Sequence, residues 1–137
     1  MSNQISKHIS YSEGVVTSTK FKNEPNEQQL EAMKLVAEKC FEPLREWYGK
    51  PIRINSFFRS KEVNTAVKGS PTSDHMKGMS IDIDAGSRSE NLKLFNWLKA
   101  NVKFKQLIHE YGDKSGPDWV HVSYDPKDLR NQVLYIK

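Results

Sequence analysis

Two histidines and an aspartate are the residues of this chain best suited to chemistry. His75 lies in a stretch flanked by Gly, Ser and Pro, Asp82 follows seven residues later, and His121 comes further on between Trp119 and Ser123. Two imidazoles and one carboxylate are three ligands suited to Zn²⁺. A fourth position left to water marks a catalytic rather than a structural site. Zinc lowers the pKa of such a water to about 7, which supplies hydroxide at neutral pH. Spacing alone leaves a second reading open. The acids of Ser80-Ile81-Asp82-Ile83-Asp84 can form a solvated strand face, and the histidines can be unrelated. His8 and His109 are given no ligand role.

These residues need elements to hold them. Met79–Asp84 alternates apolar and polar, which predicts a strand with Ile81 and Ile83 facing a core and Asp82 facing a cleft or water. Gly78 frees the backbone to turn between His75 and that strand. Gln106–Tyr111 and Trp119–Tyr124 read as strands of one hairpin joined by Gly112–Pro117. Trp119 shares the parity of His121 and is expected in the substrate groove. Ile52–Phe58 reads as a strand, Ser60–Val67 as a short helix and Val133–Ile136 as an edge strand. Asn26 with Gln29, and Ser87 with Glu90, are capping-box pairs. They open helices near 27–48 and 88–101, the first ended by Gly49 and kinked by Pro43. Cys40 falls on the apolar stripe of the first helix and reads as a buried structural thiol. Residues 1–25 are expected to be an irregular lead-in, with a short strand near Gly14–Ser18. The pattern predicts an α+β fold, a small antiparallel sheet with helices packed on one face.

Composition bounds the classes. The chain has 137 residues, 28% of them charged, and a net charge of +4. That length suits one domain, 1–137. No apolar run approaches a membrane span, and Met1–Ser12 has no stretch of signal-peptide length, so synthesis in the cytoplasm without a leader is expected. One cysteine excludes an internal disulfide and a Cys-rich zinc site. The modest positive charge, with no recognition helix and no aromatic-basic interleaving, gives no support to nucleic-acid binding. A monomer is expected.

Ser73-Asp74-His75-Met76-Lys77-Gly78-Met79-Ser80-Ile81-Asp82 resembles the S-x-H-x-x-G-x-(A/S)-x-D signature of zinc D-alanyl-D-alanine peptidases. That family includes D-Ala-D-Ala carboxypeptidases and phage endolysins that cut L-Ala–D-Glu. Asp118-Trp119-Val120-His121 resembles its (E/D)-x-x-H motif, and Asn55-Ser56-Phe57-Phe58-Arg59-Ser60 its S-G-Y-R-S segment, with Phe57 in place of Gly. The likeness runs from about residue 24 to residue 125, in the family's order. It implies the hedgehog/DD-peptidase fold, with His75, Asp82 and His121 holding zinc. It implies Asp118 as general base, taking a proton from the attacking water and passing it to the leaving amine. Glu110 is the alternative base, or a partner of a ligand histidine. Arg59 would stabilise the oxyanion of the tetrahedral intermediate. Ser73 would bind substrate or orient a ligand. Asp84 is expected beside the ligands rather than among them.

The resemblance implies a peptidase that hydrolyses an amide bond in the peptidoglycan stem peptide, acting on the cell wall, with an endolysin as the best-fitting setting. The alternative is a catalytically silent zinc- or peptidoglycan-binding module, such as a phage structural component.

Overall fold

Asn26 opens the longest helical run of the N-terminal half. Its side chain accepts a hydrogen bond from Gln29 N, and the Gln29 side chain accepts one from Asn26 N. A computed structural model describes residues 4–137. In it this run comprises α2 (Glu27–Val36), a π-helical turn (Ala37–Phe41) and α3 (Glu42–Tyr48). Pro43 was expected to kink the helix. Proline has no N–H, and its ring crowds the carbonyl four residues back. The wider π turn just before it accommodates both. Gly49, at φ 72°, ends α3 in the left-handed region.

The expected lead-in is only partly irregular. Strands β1 (Gln4–Ser6) and β2 (Ile9–Ser10) form a small hairpin, followed by helix α1 (Tyr11–Gly14) with a Ser10–Glu13 capping box. No strand forms at Gly14–Ser18. Two forces hold the hairpin down. Ile5 and Ile9 are buried, and Glu42 accepts hydrogen bonds from Ser6 Oγ and from His8 N and faces the His8 ring at 2.7 Å.

The main sheet contains β3 (Arg53–Ser56), β4 (Ser80–Asp84), β5 (Gln106–Glu110), β6 (Trp119–Ser123) and β7 (Gln132–Ile136). Its spatial order is β3-β4-β6-β5-β7. The first four strands pair antiparallel, as expected, whereas the edge strand β7 runs parallel to β5. The registers Gln106↔Ser123 and Gln106↔Gln132 give the reason: β7 begins at the end of the sheet where β6 finishes, with β5 between them.

Helix α4 (Lys61–Ala66) is capped by Ser60, and α5 (Arg88–Asn101) by Ser87. The second capping box is only half formed. Ser87 accepts from Glu90 N, but the Glu90 carboxylate is drawn to the Tyr48 hydroxyl at 2.6 Å and to Lys93 at 2.6 Å. One sheet face buries Ile81, Ile83, Leu107, Val120 and Val122 against Val36, Phe41 and Leu44 of the first helical run and Leu94, Phe95 and Leu98 of α5. Cys40 lies in this core, and burial pushes its thiol up to about 12. No helix among the described residues is long and apolar enough to cross a membrane.

Candidate metal centre

The other face of the sheet carries Ser80, Asp82 and His121. Antiparallel pairing sets Asp82 directly opposite His121. Same-face side chains of such a pair lie about 4.5–5.5 Å apart at Cβ, so two donors are brought together by register alone. The third arrives on a 3₁₀ turn, Asp74–Lys77. Ser73 caps that turn by accepting from His75 N at 3.2 Å. Gly78 closes it at φ 74°, and a Cβ there would lie 2.4 Å from the Gln29 carbonyl oxygen of α2. Only glycine lets the chain leave the turn so close to a helix. Lys105 ties the turn to β5, its Nζ lying 2.9 and 3.2 Å from the two Asp74 carboxylate oxygens.

One donor atom from each of His75, Asp82 and His121 lies within 4.8 Å of the others. His75 Nε2 is 3.2 Å from Asp82 Oδ2, and His121 Nδ1 is 2.9 Å from Asp82 Oδ1. Ligands at 2.0–2.1 Å from a tetrahedral ion stand about 3.3 Å apart, so small adjustments would seat zinc. His75 Nδ1 is 2.7 Å from the Phe57 carbonyl oxygen. A carbonyl only accepts, so that nitrogen carries the proton and Nε2 presents its lone pair. His75 Nε2 is buried and has no hydrogen-bond partner. An orphaned buried acceptor calls for a ligand or ion. The donor set, the orphaned nitrogen and the spacing all fit zinc. Burial alone would raise the Asp82 carboxyl, but His75 and His121 outweigh it and hold the group well below the usual carboxylate range.

Arg59 borders the cluster. Its Nε donates to Ser56 Oγ at 3.0 Å, and its terminal nitrogens lie 3.4 Å from Asn64 Oδ1 and 3.5 Å from Asp82 Oδ2. The Arg59 side chain is only 18% exposed. Phe57, where the S-G-Y-R-S segment has glycine, puts its ring into the core and its carbonyl on His75.

A cleft of about 250 Å³ opens beside Asp82 and Arg59, with Trp119, Val63 and Val67 in its walls. Val16, Thr17 and Ser18 close its far side. That loop is tied down by Asn23, which donates to the Val15 and Phe58 carbonyls and accepts from Ser60 N. Sequence reasoning missed Val16–Ser18, Val63 and Val67, because nothing local marks an irregular loop or a short helix as the wall of a site. Trp119 is where its parity placed it.

Asp118 is not brought to the cluster. Its carboxylate is 40% exposed and 2.9 Å from Arg88 Nε, at the start of α5. Glu110, the alternative acid, lies on the side of the ligands. It pairs with Trp119 across the β5–β6 register and shares the sheet face of His121. Burial pushes its carboxyl up, and the charges of His121, Asp82 and Arg59 all act on it. Asp84 turns away, accepting from Asn91 Nδ2 at 3.0 Å and from Gly86 N at 2.9 Å. His8 pairs with Glu42, and His109 lies on the helix-facing side of β5 against Phe95.

Compared with known families, residues 5–123 match the model of the family described as Peptidase M15. No curated protein matches the chain.

Proposed function

The chain belongs to the M15 peptidase family and is a zinc metallopeptidase, and from that premise we propose that it hydrolyses an amide bond in the peptide stem of peptidoglycan. The observation that carries the reading is the orphaned His75 Nε2 facing Asp82, with His121 completing the set. These three residues would hold the ion. When bound, zinc polarises the scissile carbonyl and makes water nucleophilic at neutral pH.

The remaining work falls to side chains. We assign the proton-transfer role to Glu110 in place of Asp118. A carboxyl pushed up by burial, on the face of the ligands, suits a group that takes a proton from water and returns it to the leaving amine. Arg59 is a fixed cation at the cleft, held by Ser56 and Asn64. It would meet negative charge developing on the carbonyl oxygen, and one such contact is worth about 2.7–4 kcal/mol. Ser73 orients the turn by accepting from the His75 N–H, and its own hydroxyl proton is left to donate to substrate. Trp119 with Val63 and Val67 would seat a small aliphatic residue beside the bond.

Both the D-Ala-D-Ala and the L-Ala–D-Glu bonds fit this chemistry. The likeness of residues 118–121 to the phage-type segment makes a phage lysis enzyme the setting we propose. The test is mass spectrometry of purified peptidoglycan digested by the wild type, by chelated protein and by His121→Ala. New stem ends that appear only with zinc-loaded wild type support the proposal, and their masses name the bond. Zinc binding without any new ends across several wall types would leave a silent binding module.

A further inference from the structure

A cavity larger than the metal cleft lies elsewhere in the fold. It holds about 750 Å³, against about 250 Å³ at the metal centre, and lies between α5, β5, β7 and the loop after β5. That is within the roughly 300–1,000 Å³ of small-molecule sites. At its wall His109 is 9% exposed, its ring meeting Phe95 edge-on at 5.3 Å and Tyr135 at 5.2 Å. The His109 ring nitrogens have no hydrogen-bond partner among the described residues, and the residue lines the cavity. Asp113, a carboxylate of the cavity wall, is already engaged by Arg88 and Ser115. A nearly buried imidazole whose nitrogens make no bond to the protein and open onto a cavity can bond a ligand seated there.

A wall of the cavity touches a wall of the metal cleft. Tyr111 lines the one, Trp119 lines the other, and their rings lie 5.3 Å apart. Tyr111 holds a left-handed backbone at φ 56°, uncommon for a bulky side chain. Strain of this kind persists where a site needs the side chain in place. Tyr135 and Tyr111 are 59% and 46% exposed, and Asn96 and Lys114 stand at the rim. Aromatic faces with a polar edge suit a ligand that has an apolar face and a polar rim.

We infer that this cavity is a second subsite for the same polymer, one that takes an N-acetylated amino sugar of the glycan strand. The inference rests on the peptidase reading, because the stem peptide hangs from such a sugar a few residues from the bond at the metal centre. The C–H face of the sugar stacks on Tyr135, its acetamido group bonds His109, and its hydroxyls meet Asn96 and Lys114.

The test compares two substrates with one peptide: the free stem peptide and the same stem on its N-acetylated disaccharide. With zinc-loaded enzyme, Tyr135→Ala is expected to raise KM about tenfold for the sugar-bearing substrate and to leave the free peptide unchanged. His109→Gln, which keeps a hydrogen-bonding group, is expected to lose less than His109→Phe on the sugar-bearing substrate alone. Equal effects on both substrates, or none on either, overturn the inference. A second arm titrates the wild type with the N-acetylglucosamine tetramer and follows the His109 ring protons by NMR. Shifts at His109 and Tyr135 support the subsite. Shifts confined to the metal cleft, or no shifts while an aromatic compound such as indole fills the cavity, overturn it. This arm reads the cavity even if the wild type cuts neither substrate, an outcome that would count against the peptidase reading alone.

Discussion

Replacing Glu110 and Asp118 one at a time separates the two candidates for proton transfer. Glu110→Gln keeps shape and removes the ability to take a proton. Burial already disfavours the charged form of Glu110, so the neutral amide costs the fold little. General acid–base catalysis typically contributes 10²–10⁴-fold. At 1.36 kcal/mol per decade this is about 3–5 kcal/mol of barrier. Asp118→Asn breaks an ion pair with Arg88 whose side chains are 40% and 48% exposed. Such surface pairs are worth about 0–1 kcal/mol, and Arg88 keeps its contact with Asp113 at 3.1 Å. The expected rate change is therefore less than about fivefold. The assay is release of stem fragments at saturating zinc, with bound metal and melting temperature measured on each variant. Glu110→Gln should retain metal and fold, and lose two to four decades in kcat. A loss in Asp118→Asn as large as that in Glu110→Gln would refute the assignment, as would an active Glu110→Gln.

Three further outcomes follow from the geometry. Gly78→Ala should lose about 2–4 kcal/mol and weaken zinc binding, from the left-handed backbone penalty plus the 2.4 Å approach to Gln29 O; Gly49→Ala, at φ 72° with nothing within 4 Å, should lose only about 1–2 kcal/mol and bind zinc normally. Urea titration with a competing chromophoric chelator reads both, and equal zinc affinities would count against the turn as the positioning device. Burial pushes the Glu42 carboxyl up, but hydrogen bonds from Ser6 and His8 outweigh this and leave it below its ordinary 4.5. The ionised form is thus favoured by folding, and the stabilisation is present at neutral pH and lost as pH falls through the folded value. Glu42→Gln should lose about 2 kcal/mol at pH 7 by thermal melts, with the deficit shrinking below pH 4.5; a deficit independent of pH would refute the ionic account. Cys40, with its thiol pushed up to about 12 in the core, should resist a thiol reagent at pH 8 in the folded protein and react fully in denaturant, and fast labelling of the native form would place it at the surface.

The division between what the sequence made legible and what it hid follows contact range. His75, Gly78 and Asp82 lie within eight residues, and their geometry is local: a capped 3₁₀ turn, a left-handed glycine and the first half of a strand. Motif spacing reads such a unit well. Asp118 and Glu110 show where it stops. Asp118 sits in the bend before β6, outside the strand that carries His121, and its carboxylate reaches Arg88 on α5. Glu110 shares the face of His121 only because β5 and β6 pair Glu110 with Trp119, and no single-strand pattern contains that register. The N-terminal hairpin was hidden for a related reason. Its strands are three and two residues long, too short to show alternation, and the group that fastens it, Glu42, lies 34 residues beyond His8. β7 was visible as a strand but not as parallel, since its direction depends on which end of the sheet the chain occupies after β6. The same register logic bears on His109. One residue before Glu110, it is sent to the opposite face, so that one strand supplies a carboxyl to the face of the metal ligands and an imidazole to the aromatic cavity. A shift of β5 by one residue would exchange these two side chains, removing Glu110 from the ligand face and His109 from the cavity.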